Sequence, residues 1–226
     1  MITIIDDYYP NPDEIRKQAL KLYFFPGSKG RRNFFAGRRT KQGLGKDNFI
    51  YNKNRFTQIL GKKIVTFPTS GYVLKDEEPV FKSTSNGQFT LGLDTDVVRN
   101  WVHHDEAAGN QYRAEELDAE GYAGVIYLTP NPELRAGTGL FRNVELGTNQ
   151  KPLPQFICNS NGFKEEWQVD DSAYRPHTWI GNVYNRCIIY PQKYFHAPFK
   201  AEFGTDKRTG RLIQVFFFHV EKDAKV

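Results

Sequence analysis

Trp101-Val102-His103-His104-Asp105-Glu106, answered far downstream by Tyr194-Phe195-His196-Ala197-Pro198, is the text on which the reading of this chain turns. On an extended strand, residues i and i+2 point to the same face, so His103 and Asp105 can reach one point together. His196 can bring a third donor from a distant strand. Two imidazoles and one carboxylate on one face make a metal site with coordination positions left open. The doubled histidine offers a second register, His104 with Glu106, facing the other side of the strand. A bare His-x-Asp occurs often by chance. The chain has five histidines, the others being His177 and His219, so the surrounding sequence has to decide.

Arg211 opens the run Gly210-Arg211-Leu212-Ile213-Gln214-Val215-Phe216-Phe217-Phe218, which is strongly apolar and β-prone and reads as a buried strand. A buried arginine is costly unless it meets an anion, and its planar fork suits a carboxylate held by two hydrogen bonds. His-x-Asp, a distal His and a basic residue one strand further on make the chain resemble the 2-oxoglutarate/Fe(II)-dependent oxygenase superfamily. The likeness extends to Gly121-Tyr122-Ala123-Gly124-Val125-Ile126-Tyr127-Leu128-Thr129-Pro130-Asn131, which is similar to the strand after His-x-Asp in prolyl-hydroxylase-like members. Gly137-Thr138-Gly139-Leu140-Phe141 resembles their glycine turn and strand, and Asn185 to Pro191 the strand that delivers the distal histidine. In order and spacing this covers residues 88 to 220, and the nearest likeness is to small bacterial and phage members.

The resemblance implies a double-stranded β-helix (jelly roll) with His103, Asp105 and His196 as ligands of Fe(II). Arg211 would take the far carboxylate of 2-oxoglutarate, with Tyr127 as a hydrogen-bond donor to it or else as a core tyrosine. Arg142 is a further cation near the site or on the surface, and His177 and His219 are structural or exposed. The implied reaction consumes dioxygen and 2-oxoglutarate, hydroxylates an aliphatic C–H of an amino acid, peptide or protein side chain, and releases succinate and carbon dioxide. Members that halogenate replace the carboxylate by a small residue; this sequence keeps Asp105. Two other readings stand beside it. One is an oxidative nucleic-acid demethylase, but such enzymes carry a second arginine six residues after the first, where this chain has Phe217. The other is a non-catalytic jelly-roll module that binds a ligand or partner.

A chain of 226 residues suits one domain with an N-terminal extension. The expected division is an extension over 1–62, helical and basic and packed on the core, and a jelly-roll core over 63–226 with a lid-like insertion at 144–181. No apolar run approaches a membrane span and the start lacks a signal-peptide shape, so a cytoplasmic protein without a membrane partner is expected. Cys158 and Cys187 make neither a disulfide framework nor a zinc set. The net charge of +5 is uneven: residues 1–65 hold fourteen Lys/Arg against five Asp/Glu, +9, and the rest is −4. Lys29, Arg31, Arg32, Arg38, Arg39, Lys41 and Lys46 cluster around Phe34 and Phe35, a pattern of a solvated loop or a nucleic-acid contact.

Ile2 to Ile5 reads as a strand. Asn11-Pro12-Asp13-Glu14 starts a helix with a capping residue and a first-turn proline, and Ile15, Ala19, Leu22 and Tyr23 form its apolar stripe. Residues 30–47 read as loop and 54–60 as a second helix with Phe56, Ile59 and Leu60 inward. Strands are expected at 63–67, 71–74, 87–93, 98–105, 122–128, 139–143, 185–190 and 211–220, giving a mainly β fold. Residues 144–181 hold no regular pattern and read as a lid or substrate wall.

Overall fold

The computed structural model describes residues 1–25, 37–68, 71–75, 78–82, 86–96, 102–105, 118–150 and 173–222, the stretch 71–82 as backbone only. The chain is mainly β, and all pairing between described strands is antiparallel. The large sheet runs β1 (Thr3–Ile5), β11 (Cys187–Pro191), β8 (Ala119–Tyr127), β13 (Arg211–Glu221), β7 (Phe89–Gly92), β3 (Arg38–Thr40) and β2 (Phe24–Phe25), with β4 (Ile64–Thr66) also on β13. A small sheet runs β10 (Tyr174–Ile180), β9 (Thr138–Asn143) and β12 (His196–Pro198); β5 (Gly71–Lys75) and β6 (Glu78–Lys82) form a separate hairpin. Among the described residues no helix is long and apolar enough to cross a membrane.

The central strands are buried on both faces and sort their side chains by parity. Leu212, Phe216, Phe218 and Val220 of β13, with Tyr122 and Ile126 of β8 and Cys187 and Ile189 of β11, form a core beneath the helices. Ile213, Val215 and Phe217, with Ala123, Val125, Tyr127, Ile188 and Tyr190, turn the other way and pack with Leu140 and Ile180 of the small sheet. Gly124 has a steric reason: a Cβ there would come 3.0 Å from the Phe56 ring, which stacks on Phe218 at 4.9 Å.

Helix α1 (Pro12–Lys21) begins as its sequence dictates, the Asn11 side chain accepting the Glu14 N–H at 3.3 Å. Ala19 is buried and Ile15 and Leu22 pack on the core, but Tyr23 lies beyond the helix and is exposed. Helix α2 (Lys46–Leu60) starts eight residues before the expected 54. Its first turns are rich in asparagine, a weak helix former, and follow Gly45 at a positive φ without a side-chain cap. Tertiary contacts hold them instead: Asn52 contacts the hydroxyls of Tyr8 and Tyr9, and Gln214 of β13 donates to Asn48.

Two loop readings are corrected. Within 30–47, residues 38–40 are strand β3 of the large sheet. Arg38 pairs with Asp96 at 3.0 Å, and Arg39 pairs in register with Thr90. A pair of arginines hides a strand because adjacent charges read as solvent exposure. Within 144–181, residues 174–180 are β10, paired along β9 with a slip between Pro176 and Thr178. Only its two ends are buried, so no alternation shows in the sequence. Residues 151–172, most of the expected lid, lie outside the described residues, as do 98–101 of the expected strand 98–105.

Candidate metal centre

Residues 102–105 follow the edge of the small sheet. His103 and His196 form an antiparallel bridge, each N–H donating to the other's carbonyl at 2.9 and 2.8 Å, and the Asp105 N–H donates to the Gln192 carbonyl at 2.8 Å. His196 is itself in β12, paired to Leu140 of β9. Backbone bonds on both sides therefore fix where the three side chains start.

Their donor atoms all lie within 4.8 Å of one another, and no other such group is found among the described residues. The Asp105 carboxylate sits between two imidazoles: Oδ2 is 3.1 Å from Nε2 of His196, and Oδ1 is 3.7 Å from Nε2 of His103. Asp105 and His196 are buried and His103 is partly exposed, so the cluster opens on the His103 side. Nδ1 of His196 lies 2.9 Å from the Tyr194 carbonyl. A carbonyl can only accept, so Nδ1–H donates to it, and Nε2, turned toward Asp105, is the nitrogen whose proton a cation would displace.

Burial alone would raise the Asp105 pKa, but His196 and then His103 outweigh it and hold the carboxylate below its ordinary range. Burial likewise opposes the charged form of His196, and Asp105 overcomes it and raises the imidazole. The carboxylate is thus ionised and paired with positive charge. A divalent cation among the three donors would supply that charge instead and leave both imidazoles neutral.

His104 lies outside this group; its ring is 6.2 Å from Phe195. Glu106, its partner in the alternative register, is not among the described residues. His177 is exposed beside Thr178, and His219 is buried with Nδ1 2.7 Å from the Thr66 hydroxyl. Arg142 is exposed and donates to the Gly147 carbonyl at 3.0 Å.

Arg211 is 4 % exposed at the start of β13. Its Nε donates to the Ala136 carbonyl at 2.8 Å, and its guanidinium carbon lies 5.9 Å from the centre of the Tyr127 ring. Burial lowers its pKa, opposed by Tyr127, Glu202 and Tyr190. Its partner across β7 is Gly92, where a Cβ would come 2.0 Å from the Ala201 carbonyl. Tyr127 is fully buried and its hydroxyl is 2.7 Å from that of Thr138. It lies on the same face as the cluster.

Tyr190 escaped the sequence reading. It is buried on the inner face with its ring 4.8 Å from that of His196, and burial first, then Asp105 and Tyr127, push its phenol well above the ordinary range. It feels both Asp105 and Arg211, so it links the cluster to the buried cation. Its only signal was its place in the alternation of Cys187 to Pro191.

No family model and no curated protein matches the sequence. Among solved structures, the fold is similar to a prolyl hydroxylase from Trichoplax adhaerens in complex with a hypoxia inducible factor oxygen degradation domain peptide fragment. The identity is 12%, the match covers 97% of this chain and 83% of that one, and the TM-score is 0.47. It is also similar to a prolyl-4-hydroxylase from Pseudomonas putida, with 12% identity, 98% and 92% coverage and a TM-score of 0.44. At this distance function has to be read from the site.

Proposed function

We propose that this protein is an Fe(II)- and 2-oxoglutarate-dependent dioxygenase of the jelly-roll type, hydroxylating an aliphatic C–H of an amino acid, peptide or protein side chain. The observation that carries the proposal is the His103–Asp105–His196 cluster, with a buried arginine on the same inner face. The donor set fits the metal: two neutral nitrogens and one carboxylate balance a divalent ion while leaving positions for other ligands. When bound, iron with 2-oxoglutarate and dioxygen supplies the oxidation of the C–H bond, and 2-oxoglutarate becomes succinate and carbon dioxide.

The chain's own residues do the positioning. The Tyr194 carbonyl keeps His196 in one tautomer. Asp105 stays ionised without an external base. Arg211, fixed through Nε to Ala136, has its remaining N–H groups for the far carboxylate of the co-substrate. The thick apolar lining from Val125, Ile188, Ile213 and Val215 excludes water around that pair.

Anaerobic addition of Fe(II) and then 2-oxoglutarate is expected to raise a saturable visible charge-transfer band, and aerobic incubation to yield succinate. Asp105→Ala is expected to abolish both and His104→Ala to keep them. Absence of the band in the wild type, or its survival in Asp105→Ala, would overturn the proposal. A module that only binds a partner would show neither band nor succinate.

A further inference from the structure

Away from the cluster, the Arg211 corner and the bonded pair of His219 and Thr66, the described inner face of the large sheet carries a further polar pair. Thr90 of β7 stands opposite Arg39 of β3 on one side and Ile213 of β13 on the other, and Ile213 stands opposite Tyr127. Cross-strand partners share a face. Ile213 and Tyr127 belong to the inner core, so Arg39 and Thr90 point inward as well. Thr90 is 5 % exposed, and its hydroxyl is buried with no hydrogen-bond partner among the described residues. A buried hydroxyl without a partner is rare in a folded protein and calls for a water or a ligand group to satisfy it.

Arg39 supplies the charge. Burial lowers its guanidinium to about 10, and the group it feels in opposition is Asp105, so it lies within electrostatic reach of the metal centre. It is not a second copy of Arg211. Strands are spaced about 4.8 Å apart, so Arg39, two strands from β13, stands about 10 Å across the sheet from that row. A divalent cation held by His103, Asp105 and His196 would neutralise the Asp105 charge, and the field around Arg39 would then favour an incoming anion.

We propose that Arg39 and Thr90 form a subsite for a carboxylate carried by the primary substrate, beside the metal centre. The substrate class is then a molecule with a free acid group: an amino acid, a peptide C-terminus or an acidic side chain. One guanidinium and one hydroxyl match a small planar monoanion. This reading rests on the oxygenase assignment for its reaction, but not for the existence of the anion site.

The test uses the full-length protein, metal-free and loaded with Zn(II), and follows backbone amide resonances of Thr90 and Ile213 and the Arg39 Nε–H signal. Acetate is titrated at constant ionic strength with acetamide as the neutral control. Acetate is expected to move all three signals with one midpoint, tighter with Zn(II), while acetamide moves none. Arg39→Met should weaken the midpoint about tenfold or more and the near-isosteric Thr90→Val about threefold, with Arg39→Lys recovering part of the loss. Saturating 2-oxoglutarate on the Zn(II) form should leave the acetate site available. Three results would each overturn the proposal: no shift beyond that of the exposed Arg142 signal, an unchanged midpoint in both Arg39→Met and Thr90→Val, or displacement of acetate by 2-oxoglutarate, which would make the anion the co-substrate's own. Failure of zinc and 2-oxoglutarate to bind, with acetate still bound to the metal-free protein, would instead remove the oxygenase assignment and leave the anion site standing.

Discussion

Both faces of the large sheet are buried, and they differ in how they treat polar groups. Beneath the helices, Gln214 is fully buried, yet its amide donates to Asn48 and to the Gly87 carbonyl, and its oxygen contacts the Tyr9 hydroxyl at 2.7 Å. Tyr8, Tyr9 and Asn52 complete a network closed on itself. On the inner face polar groups are left with capacity: the Thr90 hydroxyl has no partner among the described residues, Arg211 is held through Nε to the Ala136 carbonyl, and Asp105 stands between two imidazoles. A closed network specifies packing, while polar capacity left open on a largely apolar face favours a group that fills it. The first face serves stability, and under the proposed function the second serves binding.

The sharpest break of that contrast is His196→Ala. Divalent metal affinity should fall by more than roughly a hundredfold, since even groups one step behind a ligand are worth about 10–100-fold. Isothermal titration measures it, and thermal unfolding of the metal-free protein should change far less. Phe216→Ala should do the reverse. Phe216 is fully buried and packs edge-on to Phe56 at 5.3 Å, so its truncation should cost about 3–5 kcal/mol in denaturant unfolding. The metal affinity of the fraction still folded should stay within about twofold, because distant sites act nearly independently.

Arg211→Leu tests whether the inner face gives up binding without giving up fold. The 2-oxoglutarate requirement should rise about ten- to a hundredfold, corresponding to roughly 1.5–3 kcal/mol of charge-assisted hydrogen bonding. Arg211→Lys should recover part of it, and iron affinity without co-substrate should hold. Equal 2-oxoglutarate affinity in wild type and Arg211→Leu would remove this residue from the binding face.

His219 gives the smallest effect. Burial lowers its pKa from 6.5, so the folded protein binds its proton less readily than the unfolded chain. Stability from this group is therefore intact above the unfolded value and is lost as pH falls below it. His219→Gln should flatten the decline of unfolding free energy between about pH 6.5 and 5, leaving the slope contributed by carboxylates at lower pH.

Much of this was written in local sequence. The i, i+2 spacing of His103 and Asp105 and the unbroken apolar run after Arg211 are local facts, and Asn11 caps its helix through contacts three residues away. Such signals survive because their physics is short-range. The asparagine-rich start of α2 was illegible because its support comes from Tyr8, Tyr9 and Gln214, far away in the chain. Strand β10 showed no alternation because most of it is exposed, and β3 looked like a basic loop because nothing in Gly37-Arg38-Arg39-Thr40 says that Thr90 waits opposite. Sequence by itself determined which residues could make a metal site and which strand would be buried. Only the tertiary structure decided that His103 and His196 share a bridge, that Tyr190 packs on the cluster and that Arg39 turns inward, because strand register is a long-range choice made by the whole sheet.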